Sequence, residues 1–180
     1  MQRKYLAIDL RGYPSDLFEK VCQVKESPPP EGLWGVEIEY LSQRKHVPRA
    51  DIVFARGGSV KKNRKLLGST RIDVLSCPYP LDSVQARLAA EHKIALELCF
   101  AEIRTTYGYV RARILNYLLK TVRLAKKYHT PLIITSGASC AQEVVSPRQL
   151  VAFGRVLELG YPDAKASIYT IPKRVLEGFE

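Results

Sequence analysis

The sequence predicts an α/β fold built on a parallel sheet, and three observations predict it. Residues 94–137 run strand, helix, strand: IALELCF and PLIITSG are short apolar runs rich in Ile, Leu and Thr, as buried parallel strands are. About five turns of helix separate them, long enough for a crossover that returns to the same sheet edge. Strand-like and helix-like stretches also alternate five or six times along the chain, joined by short links. Finally, 180 residues at 46% hydrophobic suffice for one domain, residues 1–180, with a buried core. An open doubly wound sheet and a closed barrel both satisfy this pattern, although a complete eight-fold barrel typically takes about 250 residues.

Taken in order, KYLAIDL is expected as a first strand, closed by Arg11-Gly12-Tyr13-Pro14. Ser15 is placed to cap a helix over DLFEKVCQVKE, with Glu19 near its first turn. Pro28-Pro29-Pro30 excludes helix and central strand and makes a rigid surface link. LWGVEIEY sets Trp34, Val36, Ile38 and Tyr40 against Gly35, Glu37 and Glu39, the period of a strand. DIVFA is a third strand, ended by Arg56-Gly57-Gly58-Ser59; VKKNRKLLG is a short basic helix and RIDVLS a fourth strand. Asp82 starts a helix over SVQARLAAEH, which delivers the chain into the central unit. After a loop, SGASCAQEVVSP, a helix runs from Pro147 to about Glu158, with proline at a permitted first-turn position. One or two short helical pieces follow over 161–180.

The charge is unusual. A formal net charge of +10 and a pI near 9.5 point to nucleic acid or an anionic surface as partner, and say nothing of fold. The excess is spread over both halves of the chain. It is sharpest on the central helix, where Arg113, Asn116, Lys120, Arg123 and Lys127 recur on the side opposite Ile114, Tyr117, Leu118, Thr121, Val122 and Ala125. No Asp or Glu occurs from Ile103 to Gln142, whereas a solvated helix usually mixes signs; like charges at i,i+4 cost about 0.2–0.5 kcal/mol per pair. Cysteines 22, 77, 99 and 140 form no CxxC pair and are expected as free thiols in a reducing cytosol. The apolar run before Asp9 is too short for a signal peptide, and no run approaches a membrane span, so a soluble cytoplasmic chain is expected.

In such folds, ligand chemistry gathers at the carboxyl ends of the strands. Standing there are Asp9 with Arg11, Glu37 and Glu39, Arg56-Gly57-Gly58, Ser76-Cys77, Glu102 with Arg104, and Thr135-Ser136-Gly137. Gly57-Gly58-Ser59 leads into a basic helix start, where free N–H groups could cradle a phosphate; an ordinary strand-to-helix link has the same sequence. The histidines, 46, 92 and 129, all lie away from strand ends, and neither HxH nor HExxH occurs. Ser136-Gly137 lacks a nucleophile elbow, and Cys77 has no evident base. Asp9, Glu37, Asp73 and Glu97 lie in strands, where buried acids need partners such as the strand-end arginines. Tyr107, Tyr109, Tyr117 and Tyr128 flank the basic helix; packing suffices for most, with stacking on an unpaired base open to Tyr107 and Tyr109.

Several segments together resemble the ribonuclease P protein component 3 family. They are ADIVFARGGSVKKNRKLLGSTRIDVLSCPYP, LAAEHKIALELCF, RTTYGYVRARILNYLLKTVRLAKKYHTPLIITSGA and SPRQLVAF, in order over roughly residues 4 to 160. The RGG at 56–58, Asn63-Arg64, R-x-D-V-L-S at 71–76, A-E-x-x-x-A-x-E at 90–97, the RARI helix start and I-T-S-G-A at 134–138 carry most of it. The resemblance implies a compact TIM-barrel-like (β/α) barrel of about six or seven mostly parallel strands. It implies kinship with the PHP phosphoesterases without their metal site: Asp9-Leu10-Arg11 stands where those enzymes carry HxH. Relatives often have His where Cys77 and Ser139 stand here, so this chain is poorer still in ligands.

The family acts in the ribonucleoprotein that removes the 5′ leader of precursor tRNA. By that resemblance the RNA subunit performs the hydrolysis with Mg²⁺, this chain binds no cofactor and is not itself catalytic, and it works with protein component 2, as a heterotetramer, to support the RNA. The alternative from another class is a free-standing PHP-like phosphoesterase. Lys61, Lys62, Arg64, Lys65, Arg113, Lys120, Arg123 and Lys127 are the expected RNA contacts, with Arg104 and Arg111 leading into the basic helix. Asp9, Arg11, Arg56 and Ser136 are the strand-end polar set, and for Arg11, Arg56 and Arg104 pairing with Glu37 or Glu97 is the competing role.

Overall fold

The computed structural model describes residues 6–46, 49–69 and 71–179. Lys4 and Tyr5 of the expected first strand, and the His46 side chain, lie outside the described residues. Seven parallel strands follow one another around a single sheet in chain order: β1 Ile8–Asp9, β2 Lys20–Val24, β3 Leu33–Ile38, β4 Ile52–Arg56, β5 Val74–Ser76, β6 Ala95–Cys99 and β7 Leu132–Thr135. The sheet curls into a nearly closed barrel. Between β7 and β1 the backbone of residues 167–168 bridges the gap, accepting from Ile8 N (2.8 Å) and Ile134 N (2.9 Å). At the carboxyl end Gly137 N donates to Arg11 O across the same seam (2.8 Å).

The helices are α1 Val60–Leu67, α2 Ser83–Glu91, α3 Phe100–Arg104, α4 Gly108–Tyr128, α5 Pro147–Val156, α6 Tyr161–Ala166 and α7 Thr170–Glu177. Period-two alternation sorts the strand residues. Ile8, Cys22, Ile52, Phe54, Val74, Ala95 and Ile133 fill the barrel interior, and Val175 of α7 plugs its amino-terminal end. Val36, Val53, Leu75, Leu96, Leu98 and Ile134 face outward, under Leu118, Val122 and Ala125 of α4 and Leu150 and Phe153 of α5.

The expected helix over 16–26 is overturned. Residues 20–24 form β2, paired in parallel with β1 and β3, and Ser15 Oγ merely accepts from Leu17 N in a turn. Phe18 lies in the outer core, and the fully buried Cys22 lies in the barrel interior. Regular strand–helix alternation is overturned with it. Among the described residues, the links from β1 through β4 hold no α-helix, only a 3₁₀ turn, Leu41–His46, so the helical layer begins after β4.

Helix ends match the sequence signals. Asp82 accepts from Gln85 N at the start of α2 (2.8 Å), and Pro147 opens α5 within a capping box in which Ser146 and Gln149 bond reciprocally. Ser146→Ala should destabilise the chain by about 1 kcal/mol, read as a urea midpoint shift at constant slope, because the box satisfies two otherwise orphaned N–H groups.

Candidate functional site

The carboxyl mouth of the barrel is built by inward positions of five strands and by Arg11, two residues past β1. Glu37 of β3 and Glu97 of β6 face each other across it, and Arg11 spans them. Its Nη2 donates to Glu37 Oε1 at 2.7 Å and its Nε to Glu97 Oε1 at 2.9 Å, while the guanidinium lies 4.5 Å from the Phe54 ring centre. Ser76 of β5 donates to Glu37 (2.6 Å), Thr135 of β7 donates to Glu97 (2.7 Å), and Arg56 at the end of β4 reaches Glu37 Oε2 at 3.4 Å. On the rim, the Cys77 thiol and the Tyr79 hydroxyl both donate to Glu102. These groups line a cavity of about 410 Å³.

Electrostatics follow from the geometry. Burial works against the charge on Glu37, but Arg11 and the Ser76 hydroxyl outweigh it and hold its carboxyl below the usual range. Burial raises Glu102 and pushes the Cys99 thiol up to about 11. Asp9 is separate: buried at the β1–β7 seam, it accepts from Arg11 N and Ser136 N, both at 3.2 Å, and burial pushes it up to about 7. Gly12 packs so closely that a Cβ there would stand 2.3 Å from Asp9 Oδ2.

Arg11 and Arg56 therefore pair with Glu37 and Glu97, as the competing role had it. Arg104 does not: it bonds the carbonyl and carboxylate of Glu143. Ser136 is buried, its hydroxyl donating to Arg11 O. The mouth's two guanidiniums answer the carboxylates of Glu97, which is buried, and Glu37, which is partly exposed, so it presents no surplus positive charge to an anion. Among the described residues, no three His, Cys, Asp or Glu side chains are grouped so as to hold a metal ion.

Of the two readings of Gly57-Gly58-Ser59, the hydrogen bonds favour the ordinary strand-to-helix link over a phosphate cradle. The Gly57 amide donates to Ser76 O (2.8 Å) and Gly58 N to Asn63 Oδ1 (2.8 Å), while Lys62 N is taken by the Ser59 hydroxyl. Asn63, buried between α1 and α2, also donates to Gln85. Gly57 serves strand packing, since a Cβ there would meet Cys77 O at 2.4 Å. The segment is a strand-to-helix link in which the amides of Gly57, Gly58 and Lys62 are already engaged.

The basic residues divide. Lys61, Lys65, Arg113, Lys120 and Lys127 are exposed, Lys127 resting beside Tyr128. Lys62 lies over the Tyr40 ring (5.3 Å) and Arg64 pairs with Asp82 (2.8 Å). Arg111 donates to Thr106 O (2.6 Å), and Arg123 forms a two-pronged pair with Glu158 at 2.8 and 3.0 Å. Helix α2 packs between α1 and α4, so the two basic helices flank it on the outside of the barrel. Sequence reasoning placed Ser76 and Thr135 at the strand ends but did not foresee that their hydroxyls donate to Glu37 and Glu97. It also missed Glu143 and Glu158, which no local spacing ties to their arginines.

With this geometry in hand, similarity to known proteins is informative. The chain matches the model of the family RNase P subunit p30 over residues 28–179. It is 32% identical over 142 residues to ribonuclease P protein component 3 of Methanothermobacter thermautotrophicus, covering 76% of this chain and 58% of that protein. It is 31% identical over 154 residues to the protein of the same name from Methanocaldococcus jannaschii, covering 78% and 66%. The chain thus spans little more than half the length of the first of these relatives. The fold superposes on a chain of a cryo-EM structure of archaeal ribonuclease P with mature tRNA with a TM-score of 0.78 at 23% identity, covering 94% of this chain and 90% of that one. The match across 28–179, together with a seven-stranded parallel barrel of this kind, places the chain in the RNase P subunit p30 family.

Proposed function

We propose that this chain is a protein subunit of ribonuclease P, the ribonucleoprotein that removes the 5′ leader of precursor tRNA, and that it binds and supports the catalytic RNA together with protein component 2. The family match over residues 28–179 carries this reading. In it, the RNA subunit and its Mg²⁺ perform the hydrolysis and the protein contributes binding surface, so the chain is an enzyme component only within the holoenzyme. The mouth is consistent with that division: a phosphoesterase centred there would need carboxylates free to take a proton or a metal, and Glu37 and Glu97 are held by Arg11, Arg56, Ser76 and Thr135.

The exposed set Lys61, Lys65, Arg113, Lys120 and Lys127 supplies the phosphate contacts in this reading. Arg64, Arg104 and Arg123 each hold an acidic partner that RNA would have to displace. Each phosphate contact releases counterions, so log K falls with log salt by roughly 0.7–0.9 per contact.

The test is reconstitution of precursor-tRNA cleavage from the RNA and its proteins, with and without this chain. Omitting the chain should lower cleavage, and replacing the five exposed basic residues by alanine should weaken RNA binding and flatten its salt dependence. Arg56→Ala should leave the salt dependence unchanged. Cleavage indifferent to the chain would overturn the reading, and an unchanged salt slope in the five-residue variant would overturn the contact assignment.

A further inference from the structure

At the corner where α3 turns into α4, the chain displays two tyrosines to solvent. Tyr107 is 84% exposed and Tyr109 78%, and Val110 beside them is 50% exposed. The two tyrosines are the most exposed of the large apolar side chains among the described residues, and they contrast with Tyr117 of α4, which stacks on Tyr79 at 5.1 Å. Gly108 between them sits at φ +54 with open space where a Cβ would be, so the backbone turn, rather than packing, calls for glycine. Arg111 is tied to this corner through Thr106 O, and Arg113 is exposed one turn along. Thr105, Thr106 and Ile114 of the same corner line the rim of the barrel mouth.

We infer that this corner is a stacking platform for unpaired nucleotides of an RNA strand, an inference that rests on the ribonuclease P reading and names the kind of RNA element this face takes. Aromatic side chains left in water are the informative exposures of a surface, because burying them is what most stabilises a contact. Nothing in the fold covers these two. Charge points to the occupant: of the seven Arg and Lys between Ile103 and Gln142, Arg104 and Arg123 take acids from outside the segment, while Arg111, Arg113, Lys120 and Lys127 stay exposed, a face that a polyanion neutralises without a matching acidic patch. Tyrosine faces stack on any base whose own faces are open, and arginines then meet the flanking phosphates. A duplex hides its base faces, so the platform selects single-stranded loops, bulges or ends.

The experiment uses the whole chain, with fluorescence anisotropy of a labelled single-stranded oligoadenylate and of an RNA duplex of the same length. Each of Tyr107→Ala and Tyr109→Ala should weaken binding of the single strand by about five- to a hundredfold and the duplex far less, without changing the salt slope, because stacking releases no counterions. Tyr109→Trp should retain binding. Arg113→Ala should lower the slope for both probes. Undiminished affinity of the double tyrosine variant for the single strand, or equal loss for the duplex, overturns the platform. Loss of co-elution with protein component 2, with strand binding intact, would assign the corner to a protein partner and also overturn it. Failure of the unaltered chain to support precursor-tRNA cleavage would strike the ribonuclease P reading instead, leaving the stacking result as it stands.

Discussion

Arg11→Ala is expected to destabilise the chain by about 3–5 kcal/mol, a large part of the 5–15 kcal/mol that holds a typical domain together. Among the described residues, Arg11 is the one cation paired with Glu97, whose side chain is 1% exposed. Without it that carboxylate keeps, among the described residues, only the Thr135 hydroxyl as a side-chain donor, while its own side chain stays buried. Glu37 suffers less, because Ser76 and Arg56 remain and it reaches solvent. The loss should show as a lower urea midpoint at unchanged slope. Packing over Phe54 goes too, so a second variant separates the causes. If the stranded charge dominates, adding Glu97→Gln should recover most of the loss, since a neutral amide needs no counter-ion. A double variant no more stable than Arg11→Ala would make this a packing defect.

The same mouth shows what a sequence can and cannot reveal. That acids inside strands need partners follows from elementary solvation, and Glu37 and Glu97 do find Arg11. Which arginine serves which acid does not follow, because Arg104 belongs to Glu143, 39 residues away, and Arg123 to Glu158, 35 residues away. Charge patterning along a helix sees only neighbours three and four residues apart. It therefore describes α4 as free of acids, although another segment brings one to its flank.

The fold was legible where one stretch carries its own evidence. Strand β6, helix α4 and strand β7 have distinct periods and lengths, and Leu118, Thr121, Val122 and Ala125 are buried as the helical spacing requires. Residues 16–26 carry no such evidence. Phe18 and Cys22 suit a helical face, while Val21 and Val24 suit a strand, and parallel neighbours on both edges decide the matter. Those neighbours, and the bridge of residues 167–168 that completes the barrel, are tertiary facts. Tyr107 and Tyr109 could be singled out in the sequence, but a tyrosine near a helix start serves core or surface with the same letter, and their exposure is known only from the fold.

Asp9 at the β1–β7 seam should make the chain's stability fall as pH rises from about 4 to about 7, and Asp9→Asn should remove that fall. The carboxyl is buried, and that desolvation, with a smaller push from the charge of Glu97, outweighs the hydrogen bonds from Ser136 and the Arg11 amide that would lower it. Its ordinary value of 3.8 is pushed to about 7 in the fold. Between these values the unfolded chain is ionised while the folded chain still holds the proton. The stabilising contribution is thus complete below about pH 4 and lost as pH passes 7. The displacement corresponds to at most about 4 kcal/mol. Glu37, held low by Arg11, acts in the opposite sense, losing stability as pH falls through its folded value. The comparison of parent with Asp9→Asn cancels that contribution. The amide keeps the Oδ1 acceptor and is neutral throughout, so urea unfolding across pH 4 to 8 should show the variant gaining steadily on the parent. Parallel stability curves would mean that Asp9 ionises in the fold as readily as in water, and that the seam tolerates its charge.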